Sequence, residues 1–234
     1  MMFYKWPLCL TLISLLVLLS AGCSYFHKES QVNMHMDLAL ENNLNDMIKQ
    51  APLVVMGTYQ NAAGTINGAR DPKDPSKPAK GIYNEVKLFN FKVDKVLKGD
   101  LDQDIIKVGQ SHTLQLDHLR ENENIHITNP LYIEPEMEKT YILFLKKSPY
   151  ADFYSFPFVP NSIQLNDQGK ALLQIPSNHL LNQTVSQGDQ TIHVSIDGFP
   201  SDYKDTITGL NLQGILNTVE NIEDALLHPS SMVK

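Results

Sequence analysis

Apolar residues change their spacing several times along the chain, and each change marks an element. From Met36 to Ala51 they fall at Leu40, Leu44, Met47, Ile48 and Ala51, which is helical spacing, and Pro52 predicts the stop. Leu53 to Tyr59 is apolar and β-branched and reads as a buried strand. Asn61–Gly81 then turns to glycine, spaced prolines (Pro72, Pro75, Pro78) and charges, the signature of a long exposed loop.

Ile82 to Lys98 is the strongest strand signal. Val86 and Leu88 share one parity and Phe89, Phe91 and Val93 the other, which predicts a bulge or a sharp coil inside one strand. Gly99-Asp100 supplies a turn, and Asp104 to Val108 a further strand. Tyr141 to Leu145 is apolar on both parities, as in a strand buried on both faces. Shorter strands are expected at Ser162–Leu165, Ala171–Ile175 and Thr191–Ile196. A second amphipathic helix is expected over Leu212–Leu227, closed by Pro229. The expected fold class is mainly β with a helix near each end (α+β), in a single domain over 36–234.

The first 22 residues follow another logic. Lys5 gives a short positive start, Leu8 to Leu19 an apolar run, and Ser20-Ala21-Gly22 a small-residue end, the anatomy of a secretory signal. The run is short for a bilayer span, which needs about 20 apolar residues. With Leu19 before it, Ser20-Ala21-Gly22-Cys23 resembles the lipobox of bacterial prolipoproteins, departing from the commonest form at Ser20. That resemblance implies cleavage after Gly22, a diacylglycerol on the Cys23 sulfur, an acyl group on its new amino end, and attachment to the cell membrane facing away from the cytoplasm. In a cell with two membranes, the outer membrane is the alternative. Two acyl chains anchor stably where one binds only reversibly. Residues 23–35 are then expected to be the lipidated cysteine and a polar tether.

Cysteine count fits this picture. Of two cysteines, Cys9 leaves with the signal and the Cys23 sulfur carries lipid, so the mature domain has no disulfide and no thiol chemistry. Removing residues 1–22 takes away Lys5 and no acid, leaving 18 basic against 26 acidic residues. That balance argues against nucleic acid, where Lys and Arg contacts to phosphate dominate affinity.

Three segments recur in a recognisable order: APLVVMGTY from Ala51, KVDKVLKGD from Lys92 and EKTYILFL from Glu138. Over Ala51 to Leu145 they resemble the β-barrel core of netrin-like modules, tissue inhibitors of metalloproteinases and uncharacterised bacterial exported proteins. The resemblance implies an oligonucleotide/oligosaccharide-binding (OB) type antiparallel barrel. One departure is Glu138, where a glycine is usual. The inhibitors' chemistry does not carry over: it needs a free amino-terminal cysteine, whereas Cys23 would be lipidated and lies far from Val54.

Candidate chemistry concentrates in Ser111 to Glu138, with His112, Asp117, His118, His126, Glu134, Glu136 and Glu138. Imidazoles and carboxylates can hold zinc or another divalent ion, yet the six-residue spacing of His112 and His118 matches no usual ligand pair, and a solvated loop accounts for the stretch. No nucleophile-elbow, zincin or phosphate-loop motif is present. Aromatics gather at Tyr150, Phe153, Tyr154, Phe156 and Phe158, for packing or for stacking on a ligand. The expected function is a lipid-anchored, non-enzymatic binding module without a cofactor, meeting a protein or cell-wall partner through the Asn61–Gly81 loop. The alternatives are a metal-dependent hydrolase using His112, His118 and Glu134, and a purely structural envelope lipoprotein.

Overall fold

The structure is a computed structural model that describes residues 28–118, 123–176, 181–187, 190–197 and 199–227. Cys23 and the cleavage position Gly22 lie outside the described residues.

The chain is mainly β, with two helices and two sheets among the described residues. Its strands are β1 (Lys28–His35), β2 (Leu53–Asn67), β3 (Glu85–Lys98), β4 (Ile105–His118), β5 (Glu123–Thr128), β6 (Thr140–Lys147), β7 (Tyr154–Ser155), β8 (Ser162–Leu165), β9 (Ala171–Leu173), β10 (Asn182–Gln187) and β11 (Gln190–Asp197). The larger sheet runs β2-β3-β4-β7-β6-β8-β9, with β5 paired to β4. β2 also pairs with β6, so the hydrogen-bonded pairings lead from β2 through β3, β4, β7 and β6 back to β2. The β4–β7 step is parallel and the others antiparallel. The smaller sheet has the order β1-β11-β10.

Alternation along β2 and β6 divides the core. Leu53, Val55, Tyr59, Tyr141, Leu143 and Leu145 point to one side, where they meet Phe89, Phe91, Ile106 and Val108. Tyr59 sits at the centre of that cluster, edge-on to Phe89, Phe91 and Tyr141 at centroid distances of 5.8, 5.0 and 5.2 Å. Val54, Ile142 and Phe144 point the other way, onto Met47 and Ile48 of the short helix Leu44–Gln50 and Ile215 and Val219 of the long helix Leu212–Leu227. This is why Tyr141 to Leu145 is apolar on both parities. Burying each such side chain stabilises the fold by roughly 1.5–3 kcal/mol. A third cluster joins Ile125 and Ile127 of β5 to Ile192, Val194 and Ile196 of β11.

The irregularity expected as a bulge or sharp coil inside β3 takes the form of four register shifts in its pairing with β2, between Val54 and Val55, Met56 and Gly57, Tyr59 and Asn61, and Ala62 and Gly64, the first two with the extra residue on β3 and the last two with it on β2. At Gly57 the strands approach so closely that a Cβ would overlap Lys92 O, which requires glycine. After β3, Gly99 has φ +80° and a Cβ there would lie 2.5 Å from Pro52 O. Lys98 Nζ donates to Ile48 O, Lys49 O and Ala51 O at 2.6, 3.2 and 2.8 Å, satisfying carbonyls at the end of the short helix.

Four expectations need correction. The first helix spans Leu44–Gln50 rather than Met36–Ala51, because Asn43 caps it, its side chain accepting from Asp46 N at 3.0 Å. Before the cap the chain is pinned extended, with Val159 N donating to Ala39 O and Glu41 N to Val159 O. The Asn61–Gly81 loop is shorter at its start, since Asn61–Asn67 continue β2. The tether expected over 23–35 contains strand β1 from Lys28 onward, held parallel to β11. Finally, the expected loop at Ser111–Glu138 is largely the β4–β5 hairpin, in which Leu114 and Leu116 pair with Ile127 and Ile125.

Candidate functional site

His112 on β4 joins Glu85 and Lys87 of β3 and Tyr132 and Glu134 after β5 in one network of polar contacts. Between β3 and β4 the register passes from Val86–Ser111 to Glu85–Thr113, leaving His112 as an extra residue on β4. Such a bulge re-aims its side chain. His112 Nδ1 lies 2.9 Å from both Glu85 Oε1 and Thr113 Oγ1. Its ring meets Tyr132 edge-on at 4.6 Å. Lys87, two residues from Glu85 and so on the same face of β3, places Nζ 3.2 Å from both Tyr132 Oη and Glu134 Oε2. Tyr132 Oη also donates to Glu134 Oε2.

The electrostatics follow from these contacts. Burial pushes the Tyr132 hydroxyl well above the usual tyrosine range, and its hydrogen bond to the Glu134 carboxylate pushes the same way. Burial would raise the Glu134 carboxyl, but the Tyr132 hydroxyl and the Lys87 ammonium outweigh it and hold the group below its ordinary value. The network fastens the segment after β5 onto β3 and β4.

Of the residues expected to make a metal-dependent site, the structure brings His112 and Glu134 into one network through Tyr132. His118 stands apart from them along the strand. Its backbone stands at the far end of β4, six residues and roughly 20 Å along the strand from His112. His126, on β5, is exposed. Among the described residues no group of three or more His, Cys, Asp or Glu could hold a metal ion.

Beside the network opens a cleft of about 550 Å³. Its floor is the start of β3 at Val86 and the middle of β4 at Gly109 and Ser111, and Tyr132 and Asn129 form one wall. The β6–β7 connection contributes Tyr150 and Phe153, and Phe156 and Phe158 follow from the segment after β7. Arg70 enters from the β2–β3 connection, and Met36 and Leu38 from the segment after β1. A Cβ at Gly109 would lie 2.6 Å from the Phe153 ring, so glycine leaves that ring its seat on β4. The volume falls within the range of small-molecule sites, which are commonly apolar with a few polar groups.

The β2–β3 connection is held at its base by side-chain hydrogen bonds. Asn67 Oδ1 accepts from Ala69 N and Asn84 N at 3.0 Å each, and Asn67 Nδ2 donates to Ile82 O at 2.8 Å. Gln115 on β4 binds Tyr83 N and Gly81 O at 2.7 and 2.9 Å. Backbone pairing of Arg70 with Pro78 closes the turn above this base.

Sequence reading singled out the aromatic cluster and the β2–β3 connection separately, and the structure places parts of both on one cleft. Phe153 and Phe158 are buried, whereas Tyr150 is 48% exposed. The contribution of Asn129, Tyr132, Met36 and Leu38 was missed, because four chain segments far apart in sequence must meet to form the walls.

Fold and cleft together define a mainly β protein with, among the described residues, two helices and an amphipathic cleft of small-molecule size. Compared with known proteins, the chain matches no family model and no curated protein.

Proposed function

We propose that this chain is a lipid-anchored, non-enzymatic binding module outside the cytoplasm, and that the cleft is its ligand site. The amino-terminal pattern ending at Cys23 supports the anchor. The binding reading rests on one observation: the cleft lies where the β3–β4 face, the β2–β3 connection and the β6–β7 connection converge. We read the pairing ring β2-β3-β4-β7-β6 as a five-stranded OB-type barrel, and in that fold the corresponding face and loops bind ligands. With β1 beginning at Lys28, only Ser24 to His27 separate the lipid-bearing cysteine from the folded part. That spacing keeps the start of β1 within roughly 18 Å of the bilayer surface.

Deletion of Asp71–Lys80 tests the reading, since it removes the outer part of the connection and leaves its base at Asn67, Asn84 and Gln115. Partner cross-linking in intact cells should be lost while the melting transition persists. Unchanged cross-linking by a folded deletion variant rules out this connection as part of the binding surface.

A further inference from the structure

The cleft contains a cation that no described carboxylate pairs with. Arg70 is half-buried and lines the cleft, and among the described residues its side chain has no ion pair and no hydrogen bond. That is unusual in a chain carrying 26 Asp and Glu, because a guanidinium drawn out of water favours a carboxylate or phosphate partner. The residue is nonetheless held in place: Ala79 N donates to Ala69 O at 2.9 Å beside the Arg70–Pro78 bridge.

A second donor points to the same kind of group. Asn129 is 6% exposed, and its Oδ1 accepts from Leu131 N at 2.9 Å. Its Nδ2 donates to no described residue, and among the described residues no fully buried side-chain polar atom lacks a partner, so this nitrogen keeps some access to solvent; Asn129 itself lines the cleft. Asp37 is the one acidic residue on the cleft lining, and its side chain is fully exposed, 3.8 Å from His35 Nε2. The two donor residues therefore share the cleft lining with Phe153 and Phe156, and the one carboxylate there, that of Asp37, stands fully in solvent and pairs with neither.

Building on the cleft as ligand site, we infer that it takes a single-chain amphiphile whose anionic head pairs with Arg70 and whose apolar chain lies along the aromatic wall. A carboxylate head and a phosphate head share this chemistry.

Calorimetric titration of the full chain in lipid nanodiscs, with empty nanodiscs subtracted, tests the inference using octanoate, octyl phosphate and the uncharged octanamide. At least one anion should bind tenfold or more tightly than octanamide, and Arg70→Gln should abolish that preference while leaving octanamide binding in place. The tighter of the two anions identifies the head group. Equal affinity for all three overturns the anionic head and leaves the cleft as a neutral site. Absence of binding by all three overturns the amphiphile, whereas the cleft itself is judged by cross-linking. The wild-type comparison stands even if Arg70→Gln does not fold, and Arg70→Lys, which keeps the charge, should retain part of the preference.

Discussion

Glu138 N donates to Tyr59 O at 2.9 Å, and Glu138 makes that bond with φ +63°, the left-handed conformation that favours glycine. The bond fastens the turn before β6 to the strand that β6 pairs with, beside the Tyr59–Tyr141 contact in the core. A left-handed non-glycine residue costs about 1–2 kcal/mol. Glycine at this position would relieve that cost, offset in part by its larger entropy in the unfolded chain.

Glu138→Gly should therefore stabilise the protein. The expected gain is about 0.5–1 kcal/mol, a rise in melting temperature of roughly 1–4 °C for a chain of this size. Thermal unfolding followed by circular dichroism measures it, and a lower melting temperature would show that the Glu138 side chain contributes more than its backbone costs.

Lys98 joins the end of β3 to the short helix through three carbonyls, and its ammonium, titrating below the usual lysine value because burial disfavours its charge, has no equivalent in a methionine of similar length. Lys98→Met leaves Ile48 O and Ala51 O without that donor. A loss of about 1.5–3 kcal/mol is expected for hydrogen bonds to a charged group. Urea unfolding should show a lower midpoint with an unchanged slope; a midpoint within error of wild type would remove Lys98 from the account of stability.

Much of the β framework was legible in the sequence, because the buried strands carry their pattern locally. Tyr141 to Leu145 announces burial on both faces, and Leu212–Leu227 shows its helix by spacing alone. The segments Ala51–Tyr59, Lys92–Asp100 and Glu138–Leu145 each carry a local constraint. Gly57 sits where β2 and β3 nearly touch, Lys98 caps a helix, Gly99 turns the chain, and Glu138 occupies the left-handed position where glycine is usual. All four are constraints of backbone and packing. What was misread depended on partners distant in sequence. Lys28–His35 looks like a polar tether because only alternate residues face the core, and its partner β11 lies some 160 residues further along. Leu114, Leu116, Ile125 and Ile127 alternate with polar residues, but the density of His, Asp and Glu around them suggested a loop. His112 and Glu134 meet only through Tyr132 and Lys87, which neither composition nor spacing singles out.

The Glu134 carboxyl predicts a dependence on acid. Its folded value is held below the ordinary 4.5, so its contribution is fully present above about pH 4.5 and is lost as pH falls through the lower, folded value. Because this side chain is 61% exposed, solvent screening keeps the contribution small. Glu134→Gln should therefore reduce stability slightly at pH 7 and flatten its decline below pH 4.5. Melting temperatures between pH 7 and pH 3 measure the difference, and parallel curves for the two proteins would detach Glu134 from the acid response.

The binding reading is tested most directly by placing one photo-reactive amino acid at either of two exposed positions and irradiating intact cells. Tyr150 lines the cleft, whereas Leu226, 53% exposed, lies on the long helix outside it. A ligand held in the cleft gives a discrete cross-linked product from Tyr150 that is absent from Leu226 and disappears when Asp71–Lys80 is deleted. The same products from both positions, or none from Tyr150, would contradict the binding reading.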